Sequence, residues 1–135
     1  MLLFRRREDK ALIFISKLDK SLYSLMFPNI VSDDVIITKE RLNHIKTRRG
    51  EEFIYSYFNS FIDVIQYPDY VFFDRCNTVL ICKRIDDGKS LNLVLRFATD
   101  KDQPGYKNSI ISAMIEGKKR FNQRLRNNEP LYKRE

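Results

Sequence analysis

Residues 78–98 read TVLICKRIDDGKSLNLVLRFA, two apolar runs separated by Asp86-Asp87-Gly88-Lys89. An Asp-Gly step supplies the positive φ angles that tight antiparallel turns need, so the stretch predicts a β-hairpin with strands near 78–85 and 91–98. Side chains alternate between the two faces of a strand. In the second run, therefore, Leu91, Leu93, Leu95 and Phe97 share a buried face, and Asn92 and Arg96 lie on the other. Lys83 and Arg84 end the first run on opposite faces.

Working outward, residues 70–74 and 109–115 are further apolar runs bounded by polar turns, which predicts four antiparallel strands in all. The connection 99–108, with Asp100, Asp102, Pro104 and Gly105, reads either as a mobile loop beside a site or as a plain surface loop. In the last strand the faces split as Ser109, Ile111, Ala113 against Asn108, Ile110, Ser112, Met114, so both Ser109 and Ser112 remain candidates for the open face.

Upstream the texture is helical. Thr38 is a suitable N-cap, and Glu40 lies in the first turn, where a carboxylate suits the helix dipole. A helix starting at Lys39 turns Leu42 and Ile45 inward and ends near Gly50 behind Lys46, Arg48 and Arg49. Glu51 and Glu52 open a second helix. Its stripe of Phe53, Ile54, Tyr57, Phe58, Phe61, Ile62 and Ile65 recurs at threes and fours, and Pro68 ends it. Residues 11–15 read as a strand, 21–27 as a helical turn stopped by Pro28, and 118–125 as a short helix with Phe121 and Leu125 on one side. The expected architecture is α+β: N-terminal helices on one face of a four-stranded antiparallel sheet, a short C-terminal helix, and the other sheet face free.

The chain has 135 residues, 43% hydrophobic and 32% charged, with only four Gly and four Pro, so it is expected to be globular and a single domain spanning 1–135. Residues 1–34 would form an N-terminal strand and helix extension to a core at 35–135. The formal charge of +7 favours polyanionic partners through counterion release. The segment 118–135 alone holds seven cations and two anions. Lys118, Lys119 and Arg120, with Arg48 and Arg49, are the candidate contacts to an RNA backbone. No run of about 18 apolar residues occurs and the first residues lack the order of a secretory signal, so no membrane partner and a cytoplasmic setting are expected. Cys76 and Cys82 lack the companions of a zinc site, and Cys82 sits in a core-like run. Free thiols in a reducing compartment, no metal and no cofactor are the expectation.

His44 is the only histidine. RNA can be cleaved without metal: the 2′-OH attacks its own phosphate, a base takes its proton, an acid protonates the leaving 5′-oxygen, and cations hold the charge gathering on phosphorus. One histidine with lysine, arginine and hydroxyl groups suffices. Tyr70 or Tyr106 could stack a base.

Several segments together resemble the phage-associated nuclease families grouped under the barnase, EndoU, colicin and RelE-like fold. Thr38 with His44-Ile45-Lys46-Thr47-Arg48-Arg49 looks like the family's helix with a His-Ile pair and following cations. Pro68-Asp69-Tyr70-Val71 resembles the approach to its first sheet strand. Asn108-Ser109-Ile110-Ile111-Ser112 and Leu131-Tyr132-Lys133 resemble its last strand and tail. The likeness covers 35–135, about three-quarters of the chain. It implies a toxin-like endoribonuclease leaving a 2′,3′-cyclic phosphate. The catalytic group would be His44, Lys83, Arg96 and Ser112, with Ser109 as the alternative serine. RNA, including tRNA, would be the substrate and an immunity protein or antitoxin a partner, and the toxin could be delivered into a target-cell cytoplasm. Relatives often carry a second histidine where Arg49 stands here, and a guanidinium is too weak an acid to give up its proton near neutral pH. Acid and base duties would then fall on His44 with a serine, a lysine or water. Two other readings are a non-catalytic RNA-binding module and a protein-interaction domain for an acidic partner.

Overall fold

The computed structural model describes residues 11–86 and 88–135. Its elements are β1 (Leu12–Lys17), α1 (Lys20–Tyr23), β2 (Asp34–Thr38), α2 (Lys39–Arg49), α3 (Glu51–Tyr57), a 3₁₀ turn (Phe58–Ser60), α4 (Phe61–Gln66), β3 (Tyr70–Arg75), β4 (Thr78–Asp86), β5 (Lys89–Arg96), β6 (Asn108–Gly117), α5 (Lys118–Asn127) and β7 (Tyr132–Lys133). The α+β class holds. The sheet, however, has seven strands in the order β1-β2-β6-β5-β4-β3-β7 and is mixed. The expected four antiparallel strands are its middle, β3 to β6. β2 joins β6 in parallel through only Val35 opposite Asn108 and Ile36 opposite Ser109, and β7 meets β3 through two residue pairs. Pairings that short carry no periodicity for a sequence reading to detect.

The main core lies between the sheet and α2 to α4. Val35, Ile37, Val71, Val79, Ile81, Leu91, Leu93, Leu95 and Ile110 present one sheet face to Ile45, Phe61, Val64 and Ile65. Thr38 caps α2 as its sequence suggests, its hydroxyl accepting from Arg41 N at 3.1 Å. The second helix is not continuous. It breaks through the 3₁₀ turn at Asn59 and Ser60, whose short polar side chains compete with helical backbone bonds. Residues 12–34 are integral to the fold. β1 pairs with β2, and Tyr23 is fully buried with its hydroxyl donating to Ile65 O at 2.7 Å. The first ten residues of the expected extension lie outside the described residues.

The second sheet face is not free. α5 folds back from the end of β6, and Phe121 and Leu125 pack on Phe72, Leu80, Cys82 and Val94. Phe121 meets the Tyr70 ring edge-on at 5.2 Å between centroids. Beneath α5, Arg124 donates to both carboxylate oxygens of Glu116, at 3.2 and 2.7 Å, and Asn92 Nδ2 donates to Glu116 Oε1 at 2.9 Å. A four-residue spacing of two apolar side chains is enough to seat a short helix when the strand face beneath is also apolar. Among the described residues, no helix is long and apolar enough to cross a membrane.

Candidate nucleic-acid interface

The face under α5, the tail face, continues to the C-terminal end of β5, where Thr78, Val94 and Ser109 are buried and the Arg96 side chain is 30% exposed. The register sets Arg96 opposite Ser109 and Val94 opposite Ser112, with a bulge between Val94 and Leu95. Val94 packs in the tail-face cluster, so Arg96, two residues on, shares that face. Ser112 is half-buried and Ser109 buried, which leaves Ser112 the more accessible hydroxyl.

Arg96 is held from two sides. Its NH1 and NH2 donate to the two carboxylate oxygens of Asp102 at 3.2 and 2.9 Å, and its guanidinium lies 4.9 Å from the centre of the Tyr106 ring. Asp102 also accepts from Thr99 N at 2.8 Å. Asn108 closes the base of the loop: its Oδ1 accepts from Ala98 N at 2.7 Å, and its Nδ2 donates to Ser32 O and Asp34 O. The connection between β5 and β6 is thus a hydrogen-bonded structure that presents Arg96 and Tyr106 together. Bonds from Arg96, then from the Thr99 backbone, hold the Asp102 carboxyl below its ordinary range. Bonds from Lys17 and Lys107 do the same for Asp34. Carboxyls depressed in the folded state contribute stability above the unfolded value, near 4, and lose it as pH falls through the folded values. The urea midpoint is therefore expected to drop as pH is lowered below about 4, and Asp102→Asn is expected to flatten that drop.

Lys83 lies apart from this group. It shares strand parity with Val79 and Ile81, which face the main core, and its Nζ donates to Tyr67 O at 2.7 Å, capping the C-terminal end of α4. The structure therefore brings Arg96, Ser109 and Ser112 together and sets Lys83 on the opposite sheet face.

α2 reaches β6 from the side. Past Ser109, β6 has no strand partner on its β2 side among the described residues, and Arg49 Nε donates to Ala113 O at 3.1 Å, satisfying a carbonyl of that bare edge. Arg49, where the resemblance expects a second histidine, is thereby tied to the fold through one nitrogen. His44 is exposed, with no side-chain hydrogen bond among the described residues. Arg48, four residues on, is its neighbour on the same helical flank and is also exposed. The Lys46–Glu51 pair, at 3.9 Å, sits on the other flank.

The tail cations divide. Arg124 serves Glu116, and Arg134 Nε sits 2.8 Å from Asp69 Oδ1, helping to dock β7. Lys118, Lys119 and Arg120 are exposed in the first turn of α5, which has no acidic residue and no side-chain cap. Cations oppose the helix dipole there. The sequence reading missed Asp102 as the partner of Arg96, and it missed Lys89, which lies with Arg84 and Lys118 around a cleft; strand alternation could have found Arg84. Both thiols are free, and burial pushes that of Cys82 up to about 12 while Cys76 is exposed.

Comparison with models of known protein families gave no match, and neither curated proteins nor solved structures gave a significant one.

Proposed function

We propose that this chain binds single-stranded or looped RNA and cleaves it without a metal, by attack of the 2′-OH on the adjacent phosphate. The observation that carries the reading is the grouping of Arg96, Tyr106 and Ser112 at the C-terminal end of β5. In the proposed complex a phosphate exchanges with Asp102 for the Arg96 guanidinium, Ser112 donates to a phosphate oxygen, and a base stacks on the open side of the Tyr106 ring. His44 takes the proton of the attacking hydroxyl or supplies one to the leaving oxygen, water serving the other step, and Arg48 beside it holds the phosphate. The setting, as a toxin with an immunity protein or antitoxin for a partner, belongs to the same proposal.

Purified protein incubated with total RNA and tRNA in excess EDTA is expected to yield fragments ending in 2′,3′-cyclic phosphate. Intact RNA with a folded, RNA-binding protein overturns the enzymatic reading. A second reading rests on Arg49: with its Nε bonded to Ala113 O, the position that would hold a second proton-transfer group serves the fold. The chain is then an RNA-binding module that retains the cationic surface without the chemistry.

A further inference from the structure

A cleft opens between the β4–β5 turn and the start of α5, lined by Arg84, Lys89, Ser90, Lys118, Phe121 and Asn122, together with Gly88. It lies at the far end of the sheet from Arg96. Arg96 is six positions along β5 from Ser90, about 20 Å at strand rise. Three cationic side chains converge on it, and none of them forms an ion pair among the described residues.

Arg84 is set in place by packing, and Lys118 lies beside the turn. The Arg84 guanidinium rests 5.7 Å from the centre of the Phe121 ring, and its own backbone N–H is anchored on Asp69 Oδ2 at 2.8 Å. Lys118 lies so close to the turn that a Cβ at Gly88 would meet Lys118 Cβ at 3.4 Å. Gly88 also has φ +76°, so the tight turn that closes the cleft depends on glycine. Three cations in a concave site, with Asp86 opposite Lys89 at the turn, leave a positive excess that a bound anion offsets, and a side chain held by packing, as Arg84 is, gives up less freedom when the anion arrives.

We infer that the cleft formed by Arg84, Lys89 and Lys118 is a phosphate site that grips a backbone phosphate of a single-stranded nucleic acid. The inference deepens the RNA-binding reading and is independent of His44. The probes are inorganic phosphate and a ten-nucleotide 2′-O-methyl RNA, which lacks the attacking hydroxyl and stays intact. Lys89→Gln/Lys118→Gln is compared with Lys20→Gln/Lys39→Gln, which removes the same charge from exposed positions away from the cleft. Circular dichroism and amide spectra verify the fold of each protein.

The cleft variant is expected to bind the oligonucleotide about tenfold more weakly. The slope of log affinity against log salt is expected to fall by about 0.7, for the one phosphate that is no longer neutralised. The control variant stays near wild type. Inorganic phosphate is expected to shift the amides of Gly88, Lys89, Ser90 and Lys118 in the wild type and not in the cleft variant. Equal loss of oligonucleotide affinity in the two variants, or none in either, overturns the cleft and leaves RNA binding standing. Phosphate shifts at the cleft without oligonucleotide binding overturn the strand ligand and the RNA reading, leaving a site for free phosphate. No shift and no binding overturn both.

Discussion

His44→Ala is expected to lower RNA cleavage in EDTA by about a hundredfold to ten-thousandfold, the range that a positioned proton-transfer group contributes. Elimination points to this residue. His44 is the only imidazole in the chain, and it is exposed on α2, the helix that docks on the edge of β6. β6 carries Ser112, and its neighbour β5 carries Arg96. Substrate binding is expected to survive the change, because the cations that hold phosphate lie elsewhere, so the loss should appear in kcat with KM nearly unchanged. Arg96→Gln is expected to raise KM as well as lower kcat, since it removes a cation from the phosphate and frees Asp102. Lys83→Gln is the discriminating control. Lys83 caps α4 from the opposite sheet face, so cleavage should stay within a fewfold of wild type. Cleavage by His44→Ala at the wild-type rate would remove the histidine from the mechanism, and a Lys83→Gln loss matching that of His44→Ala would favour the arrangement implied by the nuclease resemblance.

The parts of this fold legible in the sequence are those governed by local rules. The hairpin at 78–98, the Thr38 cap and the four middle strands follow from turn chemistry, capping and alternation, each decided within a few residues. The face of Arg96 was legible for the same reason. What was hidden depends on contacts between distant segments. Val35 and Ile36 give no sign that they pair with Asn108 and Ser109, and the docking of β7 on β3 runs through Leu131 N to Val71 O and Arg134 N to Asp69 O. The free sheet face was an error of the same kind. Phe121 and Leu125 mark one side of a helix, but nothing local states that Phe72, Leu80 and Val94 lie beneath them. The separation of Lys83 from Arg96 could have been derived, because parity along paired strands assigns faces once the register of the Asp-Gly turn is fixed. The resemblance grouped them by role, and role carries no information about parity.

Glu116→Ala is expected to destabilise the protein by about 3 kcal/mol, toward the lower end of the cost of breaking a buried ion pair. Glu116 is 7% exposed and accepts three hydrogen bonds, two from Arg124 and one from Asn92, whose side chain is fully buried. Burial pushes its carboxyl up, but the bonds from Arg124 and Asn92 and the Arg124 charge outweigh that and leave it below the usual range. Removing the carboxylate strands the Asn92 amide and a guanidinium. The lower end of the range applies because Arg124 is 30% exposed and can turn toward water. Glu116→Leu/Arg124→Met tests the pair itself. With both charges gone and the volume kept, α5 should stay seated through Phe121 and Leu125, and the double variant should recover most of the loss. The measurements are urea midpoints for the two single variants and the double. Additive losses would mean that Glu116 and Arg124 act independently and that apolar contacts alone hold α5 to the sheet. Strong coupling would identify the pair as the fastening of α5. In that case Glu116→Ala should also weaken oligonucleotide binding, because Lys118 reaches the cleft only while α5 lies against the sheet.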